Sequence, residues 1–125
     1  MIYGVGTDIV AVARLRGMWE RHGDKALEKL LAAPEMADFA QAADKGRFLA
    51  KRFAAKEAFS KALGTGLRPP ATLPSIGVGH DEMGKPVLEF YGQLQNLIEN
   101  QQIRAHLSIS DEAEFAVAYV ILEQA

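Results

Sequence analysis

The chain has 125 residues, 49% of them hydrophobic and 24% charged, with a net charge of −2 and no cysteine. That length suits a single domain, residues 1–125, with a core of its own, and the composition is that of an ordinary globular protein. Disulfides and thiolate metal sites are excluded, and no apolar run approaches the roughly 18 residues of a membrane span.

In chain order, Tyr3 to Val10 reads as a strand and Val12 to His22 as a helix that stops at Gly23. Asp24 reads as the cap of a short helix through Leu31, and Pro34 as part of the first turn of another. A long helix runs from near Asp44 to Gly64, rich in Ala, Leu, Lys, Arg and Glu and free of Pro. The stretch from Arg68 to Pro74 contains three prolines and forms a stiff connector. Beyond it, Ser75 to His80 and Pro86 to Phe90 flank the turn residues Asp81 to Lys85 as a hairpin. Gln93 to Gln102 reads as a short helix, and Ala105 to Ser110 with Glu114 to Leu122 as a second hairpin. The fold class is α+β: an antiparallel sheet packed with helices, one of them long and central.

Charge is unevenly spread. Residues 1–68 carry twelve Lys/Arg against eight Asp/Glu, whereas residues 69–125 carry two against eight. A basic half suits an anionic partner, a phosphate-bearing small molecule or an acidic protein, unless it merely solubilises the helical part. Nucleic acid is not expected, because no aromatic residues interleave with the basic ones. A signal peptide is not expected either: the first residues lack a basic stretch and Asp8 interrupts the first apolar run, which makes the cytoplasm the expected location.

The long helix breaks the usual rule that charges avoid the apolar face. At about 100° per residue, Phe48, Leu49, Phe53, Phe59 and Leu63 form one stripe, with Arg52 and Lys56 inside it. Glu57 and Lys61 project together from the opposite side, beside the small Ala50 and Ala54. Two surfaces of this helix are therefore expected to face something other than water.

Several sets of residues are candidates for chemistry. Gly4, Gly6 and Asp8 share one face of the first strand, where glycines are expected only if a backbone, side chain or ligand comes close. Asp8 reads either as a cation ligand or as the cap of the following helix. Glu57 reads either as a second carboxylate for magnesium, which needs only one or two with phosphates and waters, or as the i,i+4 partner of Lys61. Lys61 stands one turn before Gly64-Thr65-Gly66, whose glycines let backbone N–H groups approach an anion; Gly64 reads equally as a plain helix terminator. Arg14, Met18 and Arg21 form a ridge with cationic ends and an apolar centre, a docking surface for an acidic amphipathic helix or a solvated face. His106 alternates with Ser108 and Ser110 on a strand face that lines an anion pocket or meets water.

Together these segments resemble the holo-[acyl-carrier-protein] synthases, the short class of 4′-phosphopantetheinyl transferases. The resemblance rests on Gly6-Thr7-Asp8-Ile9-Val10 with Arg14, on Phe48 to Ala58 with its Lys56-Glu57-Ala58 and Lys61, on Gly64-Thr65-Gly66, on Gly84-Lys85-Pro86 and on His106 to Ser110. Ala11 and Asp111 depart from a common pattern of that family. The resemblance implies transfer of the 4′-phosphopantetheine arm of coenzyme A to a serine of apo-acyl carrier protein in fatty acid biosynthesis, releasing adenosine 3′,5′-bisphosphate. It implies that Asp8 and Glu57 hold magnesium, that Lys61 neutralises the pyrophosphate and that Glu57 accepts the serine proton. It further implies that Arg52, Lys61, Gly64, Gly66 and His106 contact the nucleotide, that Arg14, Met18 and Arg21 meet the carrier protein, and that the chain forms a homotrimer with sites between subunits. Without the resemblance, a magnesium-dependent nucleotide pyrophosphohydrolase and a non-catalytic module binding coenzyme A or a nucleotide suit the same residues.

Overall fold

A computed structural model describes residues 1–125. Strand β1 (Ile2–Ala11) leads into helices α1 (Val12–His22), α2 (Asp24–Leu30), α3 (Glu35–Gln41) and the long α4 (Lys45–Leu63). A 3₁₀ turn at Leu73–Ser75 precedes the hairpin β2 (Ile76–His80) and β3 (Pro86–Phe90); α5 (Gly92–Asn100), β4 (Ile103–Asp111) and β5 (Phe115–Gln124) complete the chain. The α+β class expected from the pattern is the one observed, divided into a three-stranded antiparallel sheet ordered β1-β5-β4 and the separate β2-β3 ribbon. No helix is long and apolar enough to cross a membrane.

Local chemistry explains most of the boundaries. Asp44 caps α4 by accepting from the Arg47 N–H, and Gly64 ends it in the left-handed region at φ 90°, donating to Ser60 and Lys61 carbonyls. Gly23, at φ 53°, both ends α1 and begins α2, so Asp24 lies inside the first turn of α2 and is not its cap. Pro34 stands just before α3 as its N-cap. Strands β4 and β5 run longer than the expected segments, because Ile103 and Arg104 pair with Gln124 and Glu123 across the ladder. Cross-strand partners extend a strand that its own residues would not.

Helix α4 is central. Leu49, Ala50, Phe53, Ala54, Ala55, Ala58, Phe59 and Ala62 are all buried, with β1 and β5 on one side and α1 on another. Burying side chains such as Leu49 and Phe59 contributes about 1.5–3 kcal/mol each. The glycines of β1 set the closest approach. A Cβ at Gly4 would overlap the Ala62 carbonyl, and one at Gly6 the Ala58 carbonyl. Of the three things a glycine-bearing strand can accommodate, the one present is a helix backbone. The other face of the sheet stays apolar and exposed, at Tyr3, Val5 and Ile9 of β1 and at Phe115, Val117 and Tyr119 of β5.

Candidate active site

Because β1 lies so close to α4, the third residue of its inward series, Asp8, reaches the helix beside Glu57 and Lys61. Lys61 Nζ donates to Asp8 Oδ1 at 3.0 Å and to the Thr7 carbonyl at 3.0 Å. Both alternatives raised for the carboxylates are thereby corrected. The residue before α1 is Ala11, which makes no side-chain cap, so Asp8 does not cap that helix. No ion pair joins Lys61 to Glu57, because the ammonium turns across to the strand.

Glu57 is the strained member of this group. Partial burial and then the charge of Asp8 push its carboxyl above the ordinary glutamate range, against the pull of Lys61 and Arg14. Two carboxylates thus stand near one lysine that pairs with Asp8 alone, and a second cation would relieve their repulsion. No third carboxylate or histidine joins them to make a closed metal cage. That suits magnesium, a hard cation commonly held by one or two carboxylates with substrate phosphates and waters. The arrangement sets two carboxylates, one of raised basicity, and an ammonium on one small surface.

The other expected site residues fall into five places, three of them beside Phe53 or Lys61. Arg14 sits over the Phe53 ring at 5.2 Å and is near enough for its charge to act on Glu57. Met18 and Arg21 line a groove of about 460 Å³ whose floor includes Phe53 and Leu73 and whose rim carries Lys25 and Lys29. Gly64 and Gly66 follow Lys61 with φ of 90° and 68° and open space where a Cβ would stand.

Arg52 and His106 are not brought to Glu57 within the chain. Arg52 is buried: its Nη1 donates to Glu35 Oε2 at 2.9 Å and to the Val78 carbonyl, and its guanidinium lies 4.4 Å from the Phe48 ring centre. His106 lies on the outward face of β4, where Nε2 meets Glu123 Oε1. Its hydrogen bond and charge hold the Glu123 carboxyl below the usual range. Lys85, Pro86, Ser108 and Tyr119 line the same open cleft as His106. Asp111 ends β4 in an ion pair with Arg47, at 2.7 Å.

Sequence reasoning missed Glu35, a buried carboxylate bonded to two cations and two backbone N–H groups. Its carboxylate accepts from Lys56, from Arg52, from the Ala32 N–H at 2.9 Å and from the Val78 N–H at 3.0 Å. Burial alone would raise its carboxyl, but Lys56 and Arg52 hold it below the ordinary range. Burial lowers the Lys56 ammonium to about 8 despite Glu35. One signal was present: two cations inside an apolar stripe require a buried anion.

Comparison with known proteins gives a single family. Residues 4–120 match the family model of the 4′-phosphopantetheinyl transferase superfamily. A holo-[acyl-carrier-protein] synthase of Dechloromonas aromatica (strain RCB) is 78% identical over 125 residues, covering the whole of both chains. Among solved structures, the holo-[acyl-carrier-protein] synthase of Neisseria meningitidis superposes with a TM-score of 0.94 at 43% identity, over 99% of this chain and 100% of that one. The Bacillus anthracis enzyme, in complex with CoA (3′,5′-ADP), superposes with a TM-score of 0.84 at 38% identity, over 100% and 99%. On a match that runs nearly end to end, the chain belongs to the 4′-phosphopantetheinyl transferase superfamily, among the holo-[acyl-carrier-protein] synthases.

Proposed function

We propose that the chain transfers the 4′-phosphopantetheine of coenzyme A to a serine of apo-acyl carrier protein, and that Asp8, Glu57 and Lys61 form the reaction site. The observation that carries this reading is the meeting of those three side chains across the glycine contact between β1 and α4. In the step, the serine oxygen bonds to the phosphorus that bears pantetheine. The bond from that phosphorus to the bridging oxygen breaks, and adenosine 3′,5′-bisphosphate leaves with the electron pair. Glu57 takes up the serine proton, a role its raised basicity favours. Lys61 neutralises pyrophosphate charge, since phosphoryl transfer depends mainly on positioning and electrostatics. Asp8 and Glu57 would hold magnesium, which supplies further charge neutralisation when bound.

Nucleotide contacts are assigned to Arg52, Gly64, Gly66 and His106, and carrier docking to Arg14, Met18 and Arg21. The groove beside Met18 supports the docking assignment, because Lys25 and Lys29 extend its positive rim to suit an acidic helix. His106 supports a further part of the reading. It stands on the outward sheet face, which also exposes Ile9, Phe115 and Tyr119 at 65%, 43% and 48%. An apolar face of this kind suits contact between subunits. A homotrimer closed through it would let His106 of one subunit complete the site of another. On this reading the chain works in fatty acid biosynthesis in the cytoplasm.

The test is the intact mass of an apo-acyl carrier protein after incubation with the chain, coenzyme A and magnesium. The reading expects the gain of one phosphopantetheine and its loss when a chelator is added. Coenzyme A cleaved with the carrier unmodified would replace the transferase by a hydrolase. Binding of coenzyme A with neither product would leave a binding module.

A further inference from the structure

Among the charged residues of helix α4, Glu57 and Lys61 lie beside Asp8, whereas Arg52 and Lys56 point to another side. With 3.6 residues per turn, Arg52 and Lys56 lie within about 40° of each other around the helix, as do Glu57 and Lys61, and the two pairs point about 140° apart. Between them, Ala58 and Ala62 touch the glycines of β1. That contact is made of backbone and methyl groups, so it fixes distance well and rotation poorly. Rotation is fixed on the side of Arg52 and Lys56. Lys56 is fully buried and donates to Glu35, to the Leu30 carbonyl at 2.7 Å and to the Leu73 carbonyl at 3.1 Å. Glu35 in turn binds Arg52 and the N–H groups of Ala32 and Val78. One carboxylate therefore ties α4 to the end of α2, the start of α3 and the β2 strand.

We propose that Glu35 is a positioning residue for the transfer reaction, holding α4 through Lys56 and Arg52 at the rotation that sets Glu57 and Lys61 against Asp8. With side-chain ends roughly 6 Å from the helix axis, a turn of about 10° moves the Glu57 carboxylate by about 1 Å. An error of that size is enough to cost on the order of 100-fold in rate. The proposal rests on the transferase reading and extends it to a residue outside the site.

The test compares Glu35→Gln with the double variant Glu35→Gln/Lys56→Met. The single variant leaves two buried cations without their anion and is expected to melt well below the unaltered chain. The double variant removes one of those cations and leaves Arg52 beside Asp38, at 3.7 Å, and the Val78 carbonyl. Its melting temperature is expected to recover by more than half. Its kcat is expected to stay reduced by about 10-fold or more, with the KM for carrier protein within about twofold of normal. Recovery of kcat together with melting temperature would overturn the proposal, since Glu35 would then be a structural anion only. Should the double variant also melt early, Lys56→Met alone, in which Glu35 keeps Arg52, carries the test; a fall in kcat is expected and an unchanged kcat overturns it. If the unaltered chain modifies no carrier protein, it is the transferase reading that fails first.

Discussion

Each side of α4 brings two charged residues, one helical turn apart, to a carboxylate from another element, under opposite conditions. Arg52 and Lys56 come to Glu35, and Glu57 and Lys61 to Asp8. On the inner side, Glu35 meets two side-chain cations and two backbone N–H groups, and the set is sealed from water. On the outer side, Lys61, whose side chain is 51% exposed, pairs with Asp8, and Glu57 has no hydrogen-bond donor among the neighbouring side chains. Glu35 and Lys56 are saturated and have nothing left to offer a ligand; of the inner set only Arg52 still borders a pocket, beside Lys51 and His80. The outer set is under-partnered, and its missing charge is positive. Saturation marks structure here and deficit marks the proposed site, a difference that the composition of charges alone does not carry.

The comparison breaks or sharpens at particular residues. Glu35→Gln should cost about 3–5 kcal/mol, because it strips the anion from buried Lys56 and Arg52; urea unfolding measures it, and a loss under 1 kcal/mol would mean that the inner set is not sealed. Gly6→Ala should cost about 1–3 kcal/mol, since a methyl would overlap the Ala58 carbonyl and force β1 off α4. That variant should lose transfer activity as well, because Asp8 moves with the strand; full activity at reduced stability would separate the glycine contact from the site.

Smaller effects distinguish docking from chemistry. Arg21→Glu should raise the KM for carrier protein by about 10-fold with little change in that for coenzyme A, as a rim charge does. Arg14→Glu should lower kcat in addition, because Arg14 also favours the ionised form of Glu57. Identical kinetics for the two variants would contradict the separation.

The smallest effect concerns pH. The raised Glu57 carboxyl means that the folded chain holds this proton more tightly than the unfolded one. Its contribution to stability is therefore fully present below the ordinary glutamate range and is lost as pH rises through the folded value. In metal-free buffer, Glu57→Gln should be level with the unaltered chain at low pH and gain on it as pH rises. A gain at low pH that shrinks on raising pH would reverse the sign and remove the repulsion with Asp8. Added magnesium should narrow the gap at neutral pH.

Much of this was legible in the chain itself, because it depends on local periodicity. The ends of α4 follow from Asp44 and Gly64, and the clash of Arg52 and Lys56 with their apolar stripe marked the inner side as unusual before its partner was known. The partner was not legible. Glu35 lies 17 and 21 residues from those cations, on a different helix, and no local pattern encodes that meeting. Alternation correctly put Gly4, Gly6 and Asp8 on one face of β1 but could not say that the face was turned to a helix backbone. It likewise grouped His106 with Ser108 and Ser110 without telling which side of the sheet held the core. Only the packing of α4 on the opposite side decides that His106 looks outward, away from the Glu57 of its own chain.

The most direct measurement of the central claim sets the unaltered chain beside Glu57→Gln, both shown to be folded by circular dichroism. Each is incubated with apo-carrier protein, coenzyme A and magnesium, and the carrier is followed by intact mass over time. The account predicts that the unaltered chain adds one phosphopantetheine to the carrier and that Glu57→Gln, though at least as stable at neutral pH, adds it slower by about 100-fold or more. Equal rates for the two chains would contradict it, and would move the reaction away from the meeting of β1 and α4.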